Sequence, residues 1–103
     1  MAESDAQYLT QAFESLLQAA KLAPTDAKIK YNLALLYAAA KDTNATISTL
    51  EETVMLKPNY EDARLALALF YEETNQKDKA KKQYQYILTN INPNNEQAKE
   101  KLK

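Results

Sequence analysis

Residues 27–60 read AKIKYNLALLYAAAKDTNATISTLEETVMLKPNY, and their pattern of small, apolar and aromatic residues returns in the following unit, residues 61–93. Four columns pair a residue with its equivalent one period on: Leu33 with Leu67, Ala34 with Ala68, Tyr37 with Tyr71, and Pro24 with Pro58. Three columns also take in the N-terminal segment: Ala12, Thr46 and Ala80; Leu16, Leu50 and Tyr84; Ala19, Thr53 and Ile87. The residues of each column are 34 positions apart. A fixed period of 34 residues indicates stacked helical repeats that bury their apolar faces against one another.

Apolar residues at helical spacing, separated by prolines and polar turns, predict an all-α chain of six helical segments. The chain has no glycine, so tight β-hairpin turns have little material from which to form. Thr25 or Asp26 is expected to cap the second helix. Asn59, followed three residues later by Asp62, resembles a capping box at the start of the fourth helix.

The period divides residues 1–103 into two full repeats and two partial ones within a single domain. Segment 4–22 is predicted to be the second helix of a partial unit, 27–60 and 61–93 to be full repeats, and 94–103 to be the start of another unit or a capping helix. Pro93 lies one position later than the period places it after Pro58, so residues 89–92 contain one extra residue. The helix at 4–22 lacks a pair-mate, which leaves an unpaired face at Ala12, Leu16 and Ala19.

These columns resemble the tetratricopeptide repeat family over essentially the whole chain. The resemblance rests on matches in both full units: Asn32-Leu33-Ala34, Tyr37, Leu50, Pro58-Asn59, Leu67-Ala68, Tyr71, Ala80, Tyr84 and Pro93-Asn94. It implies a right-handed superhelix of antiparallel helix pairs in which most residues are helical. The predicted core consists of residues in the repeating columns and their helical neighbours: Leu33, Leu36, Tyr37, Ile47, Leu50, Val54, Leu67, Phe70, Tyr71, Ala80, Tyr84 and Ile87.

The chain departs from the family pattern at the turns between paired helices, where glycine is usual and this sequence has Lys41 and Asn75. Asparagine tolerates the left-handed conformation, whereas a left-handed Lys41 would reduce the stability of the fold by about 1 kcal/mol. The alternative is that the turn at Lys41 has another geometry. Thr46 replaces the usual alanine of the second helix. Its hydroxyl is expected to bond back to the preceding turn.

The composition excludes several function classes. Histidine and cysteine are both absent, which removes the commonest general base, thiolate nucleophiles and most metal-ligand sets. We therefore expect no catalytic residues, no metal and no cofactor.

The net charge of −1 argues against a nucleic-acid-binding protein. The longest apolar run, Leu33 to Ala40, is far shorter than a membrane span of roughly 20 residues, so we expect a soluble, cytoplasmic segment that does not insert into a membrane.

In the family, the first helix of each pair lines a concave groove that holds a peptide or a partner's helix. The resemblance places eight residues there: Lys28, Tyr31, Asn32, Leu35, Asp62, Leu65, Ala66 and Leu69. The apolar residues among them suit a ligand with hydrophobic anchors. The alternative is that Leu35 and Leu69 only pack between neighbouring helices. Some members of the family bind the carboxylate at the end of a peptide with basic side chains in these columns. Asp62 and Ala66 are not basic, which argues against such a carboxylate clamp in this chain.

The sequence thus predicts a non-enzymatic protein-interaction module, a fragment of a larger protein, that binds a peptide or partner segment. The alternative is a structural domain that forms homodimers through Ala12, Leu16 and Ala19, for example the soluble tail of a bacterial membrane or envelope protein.

Residues 77–103 carry a local charge of +4 and residues 51–73 one of −4. This polarity either steers an acidic partner, aligns stacked copies or is simply solvated surface. Tyr31, Tyr60 and Tyr86 lie outside the core columns and are candidate anchors.

Overall fold

A computed structural model describes the backbone of residues 2–103 and the side chains of residues 7–103. The described residues form α-helices and no strand, and 79% of the chain is helical. The helices are α1 (Ala2–Leu22), α2 (Ala27–Ala39), α3 (Thr43–Leu56), α4 (Glu61–Glu73), α5 (Lys77–Tyr86) and α6 (Glu96–Lys101), and a π-helical turn at Ile87–Ile91 extends α5. The predicted all-α repeat fold is confirmed, with α1 beginning two residues earlier than expected.

Each helix contacts the next along the chain, and the connections alternate between two types. After α1, α3 and the π turn, a proline occupies the second position of a tight turn. The three turns close with the same hydrogen bond, from the Asp26 N–H to Ala23 O, the Tyr60 N–H to Lys57 O, and the Asn95 N–H to Asn92 O, each 3.1 Å long. Proline suits this position because its ring fixes φ near the value that the turn needs.

The connections after α2 and α4 are three residues long and use a left-handed residue. Lys41 and Asn75 both have φ of 62°. In each turn an N–H reaches back five residues, from Asp42 to Tyr37 O at 3.0 Å and from Gln76 to Tyr71 O at 2.7 Å. This pattern is the Schellman motif, which satisfies carbonyls at a helix end. Lys41 therefore adopts the conformation that glycine usually provides, and the other geometry considered for its turn does not occur.

The π turn accommodates the extra residue before Pro93. The N–H of Asn92 bonds to the Ile87 carbonyl, five residues back, at 2.8 Å. At the matching place in α3, the N–H of Lys57 bonds to Thr53 O, four residues back, at 2.9 Å. A single π turn inserts one residue into a helix without breaking it. The chain thus reaches the proline turn in the same way despite the changed spacing.

The core is built mainly from the repeating columns, in which small residues let the helices approach closely. The buried apolar residues are Leu33, Leu50, Val54, Leu67, Tyr71, Ala80, Tyr84 and Ile87, all of which were predicted, together with Ala34, Ala63, Ala68 and Ala98. Four predicted core residues, Leu36, Tyr37, Ile47 and Phe70, are only half-buried. Tyr37 packs its ring 5.1 Å from that of Phe13 on α1 but is less buried than its equivalent Tyr71, which is 5% exposed.

Side-chain hydrogen bonds at the helix starts confirm one predicted cap and overturn the other. The Asp26 carboxylate accepts from the N–H groups of Lys28 and Ile29 at 3.0 and 3.2 Å, so Asp26 caps α2. The capping box predicted at Asn59 is wrong, because α4 begins after Tyr60 and has no side-chain cap. The buried Thr46 hydroxyl donates to the Asp42 carbonyl at 2.8 Å, as its position in the helix predicted.

Candidate functional site

The candidate site is the surface of α2 and α4 that carries the eight residues listed above, here called the α2–α4 groove. Leu35 and Leu69 expose 44% and 37% of their surface, a large fraction for leucines in the middle of helices. Lys28 and Asp62 are also exposed. The remaining members are half-buried: Tyr31, Asn32, Leu65 and Ala66. The apolar part of this surface is thus partly accessible from solvent and partly supported by the core.

Two tyrosines from different parts of the chain meet at this surface. The rings of Tyr31 on α2 and Tyr60, the residue before α4, lie 5.1 Å apart at an angle of 43°. The Lys57 ammonium lies 4.8 Å from the centre of the Tyr60 ring, within the range of a cation–π contact. Burial, followed by the negative charge of Asp62, raises the pKa of both tyrosines. Both hydroxyls therefore keep their protons at physiological pH, within the electrostatic influence of Asp62.

Of the other two candidate anchors, Tyr60 packs against a residue of the candidate site and Tyr86 does not. The sequence showed that Tyr60 lies outside the core columns, but it did not predict the contact with Tyr31. The two tyrosines belong to different columns of the repeat, so their contact leaves no periodic pattern in the sequence. Tyr86 is engaged elsewhere. The guanidinium of Arg64 lies 3.8 Å from the centre of its ring, and its hydroxyl donates to Asn59 Oδ1 at 3.2 Å.

The face of α1 predicted to be unpaired is less buried than its equivalents in the later units. Ala12, Leu16 and Ala19 are half-buried. The residues one and two periods on are almost completely buried: Thr46, Ala80, Leu50, Tyr84, Thr53 and Ile87, each with 0 or 1% exposure. The same column positions are therefore less covered in α1 than in α3 and α5, within the described part of the chain.

Metal-ligating clusters and long apolar helices are both missing from the described residues. Among them, no group of three or more histidine, cysteine, aspartate or glutamate side chains converges as metal ligands would. No helix in residues 2–103 combines the length and apolar character needed to cross a membrane. The groove presents apolar and aromatic surface with scattered charges, an arrangement that can hold a polypeptide segment.

Short antiparallel helices stacked in register, with a side-chain surface along the first helix of each pair, define this chain as an α-helical repeat protein. The Tetratricopeptide repeat family model matches residues 37–102, more than half of the chain, and the chain belongs to that family. Tetratricopeptide repeats are protein–protein interaction modules. No curated protein matches the chain.

Solved structures share the fold. Two crystal structures of MamA each superpose with a TM-score of 0.82 at 27% identity, over 96% of this chain and 57% and 54% of theirs. The chain therefore spans little more than half of the MamA chains. The first TPR of Spaghetti (RPAP3), bound to the HSP90 peptide SRMEEVD, superposes with a TM-score of 0.81 at 21% identity over 95% of this chain and 77% of its own. At that identity the likeness concerns the fold alone.

Proposed function

We propose that the chain is a non-enzymatic interaction module that holds a peptide or partner segment in the α2–α4 groove through apolar anchors. The observation that carries the proposal is the exposure of Leu35 and Leu69 next to the Tyr31–Tyr60 pair. If the two leucines only packed between neighbouring helices, they would be buried like Leu33 and Leu67. A peptide bound to a structural neighbour of the same fold gives further support.

The test begins with peptides selected on the wild-type chain from a random display library, followed by measurement of their affinity by calorimetry. We expect the double variant Leu35→Glu with Leu69→Glu to weaken binding by more than about thirtyfold, because buried apolar anchors dominate such interfaces. The free energy of unfolding should change by less than about 1 kcal/mol, since both positions are exposed.

A matched control places the same two charges outside the groove. Met55 and Leu56 on α3 are apolar and exposed by 81% and 39%, so Met55→Glu with Leu56→Glu adds the same charge without touching the groove. This control should retain the affinity of the wild type. Equal affinity of the selected peptides for the groove variant and the wild type would refute the proposal.

A second candidate function is self-association through Ala12, Leu16 and Ala19. The half-burial of these residues, in columns that are otherwise buried, favours it. A second copy of α1 could cover this face in an isologous dimer. Groove binding and dimerisation use different helices and are compatible.

A further inference from the structure

A cavity lies beside the proline turn that follows α1. It has a volume of about 240 Å³ and is lined by residues of this turn, α2 and α3: Pro24, Lys30, Glu52, Met55 and Leu56. None of these residues belongs to the α2–α4 groove. The cavity is formed by a single helix pair, α2 and α3, and the turn that leads into it. We call it the Pro24 pocket.

The residues that line the Pro24 pocket favour an aromatic ring. Pro24, Met55 and Leu56 provide its apolar surface, and the two α3 residues are exposed by 81% and 39%. The Lys30 ammonium also lines the pocket and is held by the Glu52 carboxylate at 2.6 Å, with 23% of the lysine side chain exposed. An ammonium attracts the face of an aromatic ring, and methionine sulfur makes favourable contacts with such rings. The pocket therefore offers a ring both apolar cover and a fixed cation.

The next repeat has an aromatic ring at the equivalent place. One period on, the proline, the lysine and the glutamate of the pocket correspond to Pro58, Arg64 and Tyr86. The Arg64 guanidinium lies 3.8 Å from the centre of the Tyr86 ring, and its Nε donates to the Pro58 carbonyl at 3.0 Å. The Tyr86 hydroxyl donates to Asn59 Oδ1 in the same proline turn at 3.2 Å. The first repeat keeps the proline and the cation, but Glu52 occupies the position of the tyrosine.

We propose that the Pro24 pocket binds an aromatic side chain of a protein partner. The ring takes the place that Tyr86 fills in the next repeat, with the Lys30 ammonium at its face and Met55 and Leu56 beside it. The volume fits one ring, since a cavity of about 150 Å³ holds benzene, whereas small-molecule sites usually occupy roughly 300–1,000 Å³. A single ring gives weak binding, so the remaining contacts come from the chain that carries it. The proposal does not depend on ligand binding in the α2–α4 groove.

The probe is the acetylated and amidated tripeptide Ala-Phe-Ala, titrated into the isotope-labelled full chain and followed by the NMR chemical shifts of backbone amides. We expect saturable shifts centred on residues 24–30 and 52–56, with a dissociation constant on the order of a few millimolar. The same tripeptide with cyclohexylalanine in place of phenylalanine is the matched control, because its ring is at least as apolar but has no π face. It should bind about threefold more weakly, since it loses the attraction of the Lys30 ammonium.

Two variants of Glu52 test whether the pocket is the place of a ring. Glu52→Tyr introduces a ring at the position that Tyr86 holds in the next repeat, so it should fill the pocket and weaken tripeptide binding by about tenfold or more. Glu52→Gln removes the same charge without adding a ring and should bind the tripeptide within about twofold of the wild type. Both variants should fold normally, as judged by circular dichroism, because Glu52 is exposed.

Two double variants separate the pocket from the groove. Met55→Glu with Leu56→Glu removes the apolar surface of the pocket and should abolish the shifts at residues 24–30 and 52–56. Leu35→Glu with Leu69→Glu changes only the groove and should retain them. The groove test gives the opposite pattern, so the two proposals fail independently.

Four results would each overturn the proposal. The first is the absence of saturable shifts at the pocket in the wild type. The second is equal or tighter binding of the cyclohexylalanine peptide, which would reduce the pocket to an apolar patch. The third is equal tripeptide affinity of Glu52→Tyr and Glu52→Gln, which would show that a ring at this position does not fill the pocket. The fourth is a wild-type dimer that Met55→Glu with Leu56→Glu dissociates, which would assign the pocket to a second copy of the chain.

Discussion

At the scale of single residues, the clearest departure from local preference is the backbone of Lys41. With φ of 62°, it occupies the left-handed region, which lysine enters only at an energetic cost. Asn75 occupies the same position one unit later, with the same φ, and asparagine is one of the few residues that tolerates it. The Schellman bonds at the end of α2 therefore hold Lys41 in an unfavourable conformation.

Replacing Lys41 with glycine should consequently stabilise the protein. Relief of the left-handed strain is worth about 1–2 kcal/mol, and the added freedom of glycine in the unfolded chain offsets part of it. We expect the free energy of unfolding of Lys41→Gly, measured by urea titration, to rise by about 0.5–1 kcal/mol. Asn75→Gly is the matched control and should gain less. A loss of stability in Lys41→Gly would contradict the strain at this residue.

Some features of single residues could be predicted from the sequence, and others could not. Asp26 as a helix cap and the back-bonded Thr46 were predictable, because both effects depend on neighbours within four residues. The capping box at Asn59 was a wrong prediction because a helix start depends on one residue of register, and α4 begins at Glu61.

At the scale of helices, the π turn at Ile87–Ile91 is the feature that the repeat did not specify. The sequence placed the extra residue within residues 89–92 but did not indicate that a π turn would accommodate it. The π turn keeps Ile87 buried at 0% exposure and leaves Thr89 and Asn90 exposed on the outside. The insertion is therefore absorbed within one turn, and the core columns before it and the proline turn after it keep their places.

Deletion of Asn90 should convert the π turn into an α turn with little loss of stability. It restores the regular repeat spacing between Pro58 and Pro93 and aligns Ile91 with Leu56. We expect the free energy of unfolding to change by less than about 1 kcal/mol, as judged by urea titration, because Asn90 is exposed and makes no core contact.

Deletion of Met55 is the matched control. Met55 is 81% exposed at the corresponding place in α3, which has no π turn to remove, so the deletion must disrupt the register of the Pro58 turn. We expect this variant to lose several times more stability than the Asn90 deletion. Comparable losses in the two deletions would contradict the role of the π turn as a local insertion.

At the scale of the whole molecule, the chain is more extended than a compact domain. Its radius of gyration is 14.7 Å, against about 13 Å for a compact domain of 100 residues. Helices that contact mainly their sequence neighbours produce this shape. The column residues of α1 are less buried than their equivalents in α3 and α5. The period alone was enough to predict the fold. Surfaces such as the Tyr31–Tyr60 pair, which join different columns, could not be predicted because no column encodes them.

The incomplete cover at the α1 end leads to the last prediction. If a second copy covers Ala12, Leu16 and Ala19, light scattering coupled to size exclusion should give a mass that falls from twice 11.7 kDa to 11.7 kDa on dilution. Leu16→Glu should be monomeric at every concentration, because a charge buried in an apolar seam without a partner is strongly unfavourable. Leu17→Glu is the control, since Leu17 is 41% exposed and lies about 100° away on α1. It should dimerise like the wild type. A wild-type mass of 11.7 kDa across the whole concentration range would eliminate the dimer and leave the α2–α4 groove and the Pro24 pocket as the proposed binding surfaces.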